Sequence, residues 1–195
     1  METIRMPEYA NAKGLPAPCR WLTLVLFFAL LILPVQAAAD EDSAPLTTVA
    51  AVDLKRYLGK WYEIASYPAW FQKGCTGSTA DYSLLPDGRI RVVNRCFKNS
   101  LDGPLKASKG KAEVVDTATQ AKLKVWFFWP FKGDYWIIDL DDDYQWAVVG
   151  VPSRKYLWIL SRTPTLDASV YDGILRRVIE KGYDPTRLKL TAQPQ

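Results

Sequence analysis

The chain of 195 residues contains no histidine. That one absence removes Ser-His-Asp and Cys-His catalysis and takes away the commonest zinc ligand. An excess of one charge is lacking too. Lys and Arg number 25 against 21 Asp and Glu, a net +4, and the basic residues are scattered among acids rather than drawn into a stripe that would follow phosphates. Nucleic acid is therefore not expected as a partner. Nor is there a hydrophobic run long enough to span a membrane: Trp21 to Val35 is apolar apart from Thr23 and Pro34, whereas a spanning helix needs about 20 residues. No βαβ rhythm appears, so a parallel sheet is not expected.

The short apolar run has another reading. Arg5, Lys13 and Arg20 precede it and Ala37-Ala38-Ala39 follow, giving a basic start, an apolar centre and small residues at a cleavage point. Residues 1–39 are expected to be an export signal peptide, and residues 40–52 a flexible lead. Of the three cysteines, Cys19 precedes the apolar run, and none stands at the cleavage point where a bacterial lipoprotein would be modified. Export leaves Cys75 and Cys96 in an oxidising compartment. They flank a hairpin whose turn is Pro86-Asp87-Gly88. Simple pairing leaves them a few residues short of opposite one another, so a disulfide between them requires a bulge or a diagonal bridge.

From Trp61 onward, period-two alternation recurs in short runs parted by turn residues, which predicts an antiparallel barrel or sandwich. The runs are the Trp61 strand, 80–84, 90–94, 111–115, 122–129, 135–140, 145–151 and 156–161. One helix is predicted over about 167–181. Asp167 caps it, Val170, Ile174, Leu175, Val178 and Ile179 form its apolar stripe, Gly182 stops it and Pro185 forbids continuation. Seven tryptophans lie beyond residue 40, a density that suits either a filled core or a lined cavity.

Two segments far apart in the chain carry the strongest signal: Gly59-Lys60-Trp61-Tyr62-Glu63-Ile64-Ala65, and Tyr156 through Pro164 with Arg162 ending a strand. Together with Phe127-Phe128-Trp129-Pro130-Phe131 they resemble the lipocalin family, and within it the bacterial Blc-like subfamily, over about 53–189. The resemblance implies an all-β fold: an eight-stranded antiparallel up-and-down β-barrel over 53–191 with one C-terminal α-helix packed outside. It implies that Gly59, Trp61 and Arg162 form the structural motif at the closed end, the guanidinium across the indole. Such a contact is worth roughly 0.5–2 kcal/mol. Two departures stand out. The subfamily's Thr-Asp-Tyr turn is replaced by the longer, acidic Asp139–Tyr144, and the cysteine that is lipid-modified in its well-known members has no counterpart at the cleavage point.

Few groups invite chemistry. Asp141-Asp142-Asp143 lacks the spacing and glycine of a calcium loop and reads as a solvated turn, so no metal is expected. Glu63 shares a face with Trp61 and reads as a satisfied structural carboxylate, with Arg162 the candidate partner. Parity places Leu123, Val125, Phe127 and Trp129 inward on one strand, and Tyr156, Trp158, Leu160 and Arg162 inward on the last. With the family resemblance, it also turns Tyr82, Leu84, Ile90, Val92, Asn94, Tyr135, Ile137, Ala147 and Val149 inward. The expected ligand-binding set is Tyr82, Val92, Asn94, Val125, Phe127, Tyr135, Val149, Trp158 and Leu160, lining a barrel wide enough for one small ligand or filled by its own side chains. Trp70 and Phe71, after Pro68, read as a lid over the mouth or as anchors on a membrane. The resemblance then implies an exported, periplasmic, cofactor-free lipid carrier associated with the outer membrane. It would bind fatty acids or lysophospholipids for envelope maintenance under stress, with no enzymatic activity. The alternatives are a haem or tetrapyrrole carrier and a barrel enzyme using a cavity cysteine. Oligomeric state is not legible.

Overall fold

The computed structural model describes residues 44–194; the expected signal peptide, 1–39, lies outside them. Eight strands close a barrel: β1 (Gly59–Ser66), β2 (Cys75–Leu84), β3 (Ile90–Lys98), β4 (Leu105–Val114), β5 (Lys122–Phe128), β6 (Phe131–Leu140), β7 (Trp146–Gly150) and β8 (Leu157–Ser161). Each neighbouring pair is antiparallel, and β1 bonds to both β2 and β8, which seals the seam. A short helix α1 (Leu54–Tyr57) precedes the barrel, and α2 (Ala168–Glu180) and a two-residue strand β9 (Lys189–Leu190) follow it. The eight barrel strands and the outer helix were legible from the sequence; β9 was not.

Alternation builds two cores, one on each side of the sheet. Inside the barrel, Trp61, Tyr82, Ile90, Val92, Leu123, Ile137, Val149 and Leu160 pack together. Outside, Ile64, Ala65, Ile138, Val148, Leu157 and Ile159 meet Ile174 and Val178 of α2. Alternation cannot put two adjacent residues on one face, and β-bulges do so here. In β1 the register slips between Glu63 and Ala65, and Ile64 and Ala65 both pack outside; in β6 it slips between Ile137 and Asp139, and Ile138 and Asp139 both turn toward the outer helix.

Helix α2 begins where Asp167 accepts backbone hydrogen bonds from Ser169 and Val170. It ends where Gly182 takes φ +80, with Tyr183 donating back to Val178 O. Arg177 pins it to the barrel, meeting Asp139 at 2.6 Å and lying 4.9 Å over the Trp146 ring. Ile179, expected in the apolar stripe, is instead exposed, because the buried face is carried by Gly173, Ile174 and Val178. Tyr183, just beyond the helix, exchanges hydrogen bonds with the backbone of Val151, and its ring fills the place where a side chain at Gly150 would stand.

The lead is not loose where it is described. Leu46 is buried with the outer core, Val49 N donates to Ile137 O and Val52 N to Thr119 O, so the expected flexibility over 40–52 fails for 44–52. The C-terminal tail is likewise bound in. β1 and β2 pair from Gly59↔Tyr82 to Tyr62↔Thr79. Beyond that level β9 pairs with Ala65 and Ser66, Thr191 N donates to Ile64 O and Gly77 N donates to Ala192 O. The tail thus fills the gap between two strands that a bulge in β2, marked by Gly77 at φ +58, has spread apart.

Candidate functional site

The strand directions sort every connection to one of two ends. At one end lie residues 85–89, 115–121, 141–145, α1 and Arg162; at the other lie 67–74, 99–104, 129–130 and 151–156. The first end is sealed. Trp61 is fully buried and its indole donates to Tyr57 O at 2.8 Å. Arg162 lies 3.7 Å over that ring and donates to Lys60 O at 2.9 Å, Arg56 O at 2.6 Å and Tyr144 O at 3.2 Å. One guanidinium therefore ties α1, β1 and the 141–145 turn together, with its fork of donors matched to three carbonyls. Burial pulls the Arg162 pKa down from its ordinary value and nearby Tyr57 partly offsets this, while the group stays charged. Gly59, at φ +95, leaves the guanidinium room: a Cβ there would stand 3.4 Å from Nη1. The acidic turn adds its own seal, with Tyr144 OH accepting from Asp53 N at 2.7 Å and Arg56 4.1 Å over the Tyr144 ring. Asp142 and Asp143 are exposed, and among the described residues no cluster of acids, cysteines or histidines is suited to a metal.

Above this floor stands a cluster of tyrosine hydroxyls. Tyr135 OH meets Tyr57 OH at 2.8 Å and Tyr82 OH at 3.0 Å. Burial pushes the phenols of Tyr57 and Tyr135 well above the ordinary range and that of Tyr82 to about 12. The rings leave a void of only about 10 Å³, bordered also by Ile90, Val92, Leu123 and Val125. That is room for about one water, so the lower half of the barrel is filled by its own side chains.

The expected binding residues divide accordingly. Tyr82, Val92, Val149 and Leu160 face inward but are sealed within the packed floor. Val125 and Tyr135 border the void of the tyrosine cluster and are partly exposed, and Phe127 and Trp158 are partly exposed at the edge of the same core. Asn94, on the face of Val92, is exposed nearer the rim. Trp129 and Leu84 are not inward. Leu84 stands exposed at a strand end, and the register of β5 slips between Val125 and Phe128, leaving Trp129 on the hairpin tip, 78 % exposed. Glu63 is satisfied but not by Arg162, whose donors are taken by carbonyls. Its carboxylate accepts from Ser66, Gln72 and Thr191, higher in the barrel. Gln72 in turn accepts from the indole of Trp158 at 2.9 Å.

Near the rim, a disulfide joins Cys75 to Cys96. Cys75 is opposite Lys98, and the β2 bulge brings it diagonally to within 5.4 Å (Cα) of Cys96. A groove of about 440 Å³ runs between residues 68–76 and 189–191, with Glu63 and Cys75 in its lining. Sequence reasoning missed it, since β9 carries no strand signal.

A sealed, cation-capped end opposite an open, aromatic-rimmed one on an eight-stranded barrel decides the family, and the relatives agree. The Lipocalin-like domain profile matches residues 52–193. The chain belongs to the lipocalin family. It is 41% identical over 160 residues to temperature-induced lipocalin-1 of Arabidopsis thaliana, covering 78% of this chain and 85% of that protein. It is 41% identical over 175 residues to outer membrane lipoprotein Blc of Escherichia coli K12, covering 90% and 98%. Among solved structures, insecticyanin from the tobacco hornworm Manduca sexta superposes with a TM-score of 0.64 at 20% identity, covering 78% of this chain and 86% of that one. At that identity the likeness concerns the fold. In this lipocalin the tyrosine cluster closes the barrel next to the Trp61–Arg162 end, and Phe127 and Trp158 are partly exposed beyond it.

Proposed function

We propose that this lipocalin reversibly captures a single-chain lipid, a fatty acid or lysophospholipid, in the open half of its barrel. The observation that carries the reading is the step from the filled tyrosine cluster to partly exposed apolar side chains at Phe127 and Trp158. Each methylene removed from water there is worth roughly 0.8 kcal/mol, while the head group stays at the rim beside Asn94. With half the barrel already filled, a two-chain lipid has less room than one chain. The role is carriage rather than catalysis. The cysteine thiols that a barrel enzyme would need are joined to each other, and Glu63 is engaged by three donors.

The same reading takes residues 1–39 as a cleaved signal and places the mature chain in the periplasm, next to the outer membrane named in its Blc relatives. Envelope maintenance under stress is the role it fits. Mass spectrometry of organic extracts from the purified, exported protein tests this reading. Single-chain lipids in stoichiometric amount are expected, and an intact mass beginning near Asp40. A haem or tetrapyrrole in the extract, or a diacyl lipid alone, would overturn the ligand class.

A further inference from the structure

The large apolar side chains left in solvent are concentrated at the mouth: Trp70, Phe71, Leu105, Phe128, Trp129 and Phe131. They form two main tips. Trp70 and Phe71 stand on the β1–β2 loop, and Phe128, Trp129 and Phe131 on the β5–β6 hairpin. In a closed barrel of eight strands in sequential order these two connections are half-way round from each other. A flat body touching both must therefore cover the opening between them.

Lysines accompany the aromatics at all four mouth connections: Lys73 on the first, Lys98 and Lys106 flanking the second, Lys132 at the hairpin tip and Lys155 on the last. Asp102 is the acid within these loops, and Glu113, on β4, pairs with Lys132. Trp and Phe at a tip ringed by flexible ammonium groups suit the boundary between headgroup and acyl chain, where rings are half-inserted and Lys stems reach outward. Protein interfaces enrich aromatics but deplete lysine, so this composition favours lipid over a second polypeptide. From the rim a run of rings leads inward: Trp70 to Phe71 at 5.7 Å, Phe71 to Tyr156 at 5.5 Å, and Tyr156 to Trp158 at 5.7 Å.

We infer that the open rim is a two-point docking surface for an anionic phospholipid bilayer, placing the mouth flat on the membrane so that an acyl chain passes between bilayer and barrel without crossing water. This deepens the lipid-carrier reading and rests on it for its purpose, although docking itself can occur without cargo.

Sedimentation of the mature protein with vesicles of phosphatidylcholine and phosphatidylglycerol in equal parts, against phosphatidylcholine alone, tests it. Binding is expected to the mixed vesicles and to weaken with salt. Trp129→Ser with Phe131→Ser should lower the partition coefficient by about tenfold or more, and Trp70→Ser with Phe71→Ser likewise, since either loss lifts one side of the rim. Lys106→Glu and Lys155→Glu should each cost at least about fivefold. These side chains are exposed or half-exposed, and an unchanged urea midpoint confirms that the fold is intact. Equal partition of wild type and tip variants would overturn the inference. So would absence of vesicle binding together with a concentration-dependent dimer abolished by Trp129→Ser, which would give the surface to a second copy. Fatty-acid titration in detergent-free buffer separates the two proposals: tip variants should bind fatty acid as wild type does, and a wild type that docks without binding fatty acid would sink the carrier reading alone.

Discussion

The two ends of the barrel use the same ingredients, a tryptophan and a cation, in opposite ways. At the closed end Trp61 is 0 % exposed beneath Arg162, whose guanidinium lies on the indole face and donates to three backbone carbonyls. At the open end Trp70 is 82 % exposed, and Lys73 beside it faces solvent. The first arrangement stabilises the chain because both partners are committed within it. The second contributes little to folding, which leaves its rings and ammonium groups for something outside.

The open end needs a different fastening, and the disulfide supplies it. Cys75→Ser with Cys96→Ser should have the largest effect on stability, about 3 kcal/mol from releasing a loop closed across 21 residues. Urea unfolding with and without reductant measures it. An unchanged midpoint would mean that the tail between β1 and β2 holds the rim alone. Next comes Arg162→Ala, expected to cost about 2 kcal/mol as the cation–π contact and the hydrogen bonds to three carbonyls go together. Arg162→Lys should recover little, since one ammonium cannot match the planar fork.

Between the ends, Tyr135→Phe should cost about 1–2 kcal/mol by leaving the hydroxyls of Tyr57 and Tyr82 without their shared partner. The pH dependence has a definite sign. Tyr82 titrates near 12 when folded and near 10 when unfolded, so its neutral form favours the fold; that contribution is complete below pH 10 and is lost as pH rises toward 12. Burial moves Tyr57 and Tyr135 the same way. Alkaline unfolding should therefore steepen above pH 10, and a midpoint flat from pH 9 to about 12 would contradict the buried cluster. Smallest of all is Trp129→Ser, which should stay within about 0.5 kcal/mol of wild type because the ring is 78 % exposed.

The same contrast explains how much could be read from the chain. Gly59, Trp61 and Arg162 were legible because a closed end demands fixed partners at fixed places, and the helix was legible from Asp167 and Gly182, whose backbone roles few residues fill. The bulges were not, since period-two reading assumes they are absent. Gly77 within an otherwise regular strand was the available sign of one of them. Missing the slip in β5 sent Trp129 inward on paper, whereas the strand ends before it. Parity says which face a candidate residue takes but nothing of what covers it: Val149 is closed to solvent, whereas Trp158, directly opposite it on the next strand, is partly exposed. Residues 44–52 and β9 have no period-two run to announce them; buried Leu46 and Val52 and backbone hydrogen bonds that any sequence can make hold them in place.

The central claim is that the open half of the barrel takes an acyl chain, and titration of delipidated protein with lysophospholipid, fatty acid and a diacyl control, followed by Trp158 fluorescence, tests it most directly. Val125→Trp crowds the barrel interior beside the tyrosine cluster, and Asn94→Trp crowds the rim from an exposed position that the fold does not depend on. The account predicts saturable binding of the single-chain lipids, weaker binding of the diacyl lipid, and a loss of at least about tenfold, near 1.4 kcal/mol, in both blocked variants. Blocked variants that bind as tightly as wild type would put the ligand outside the barrel and contradict it.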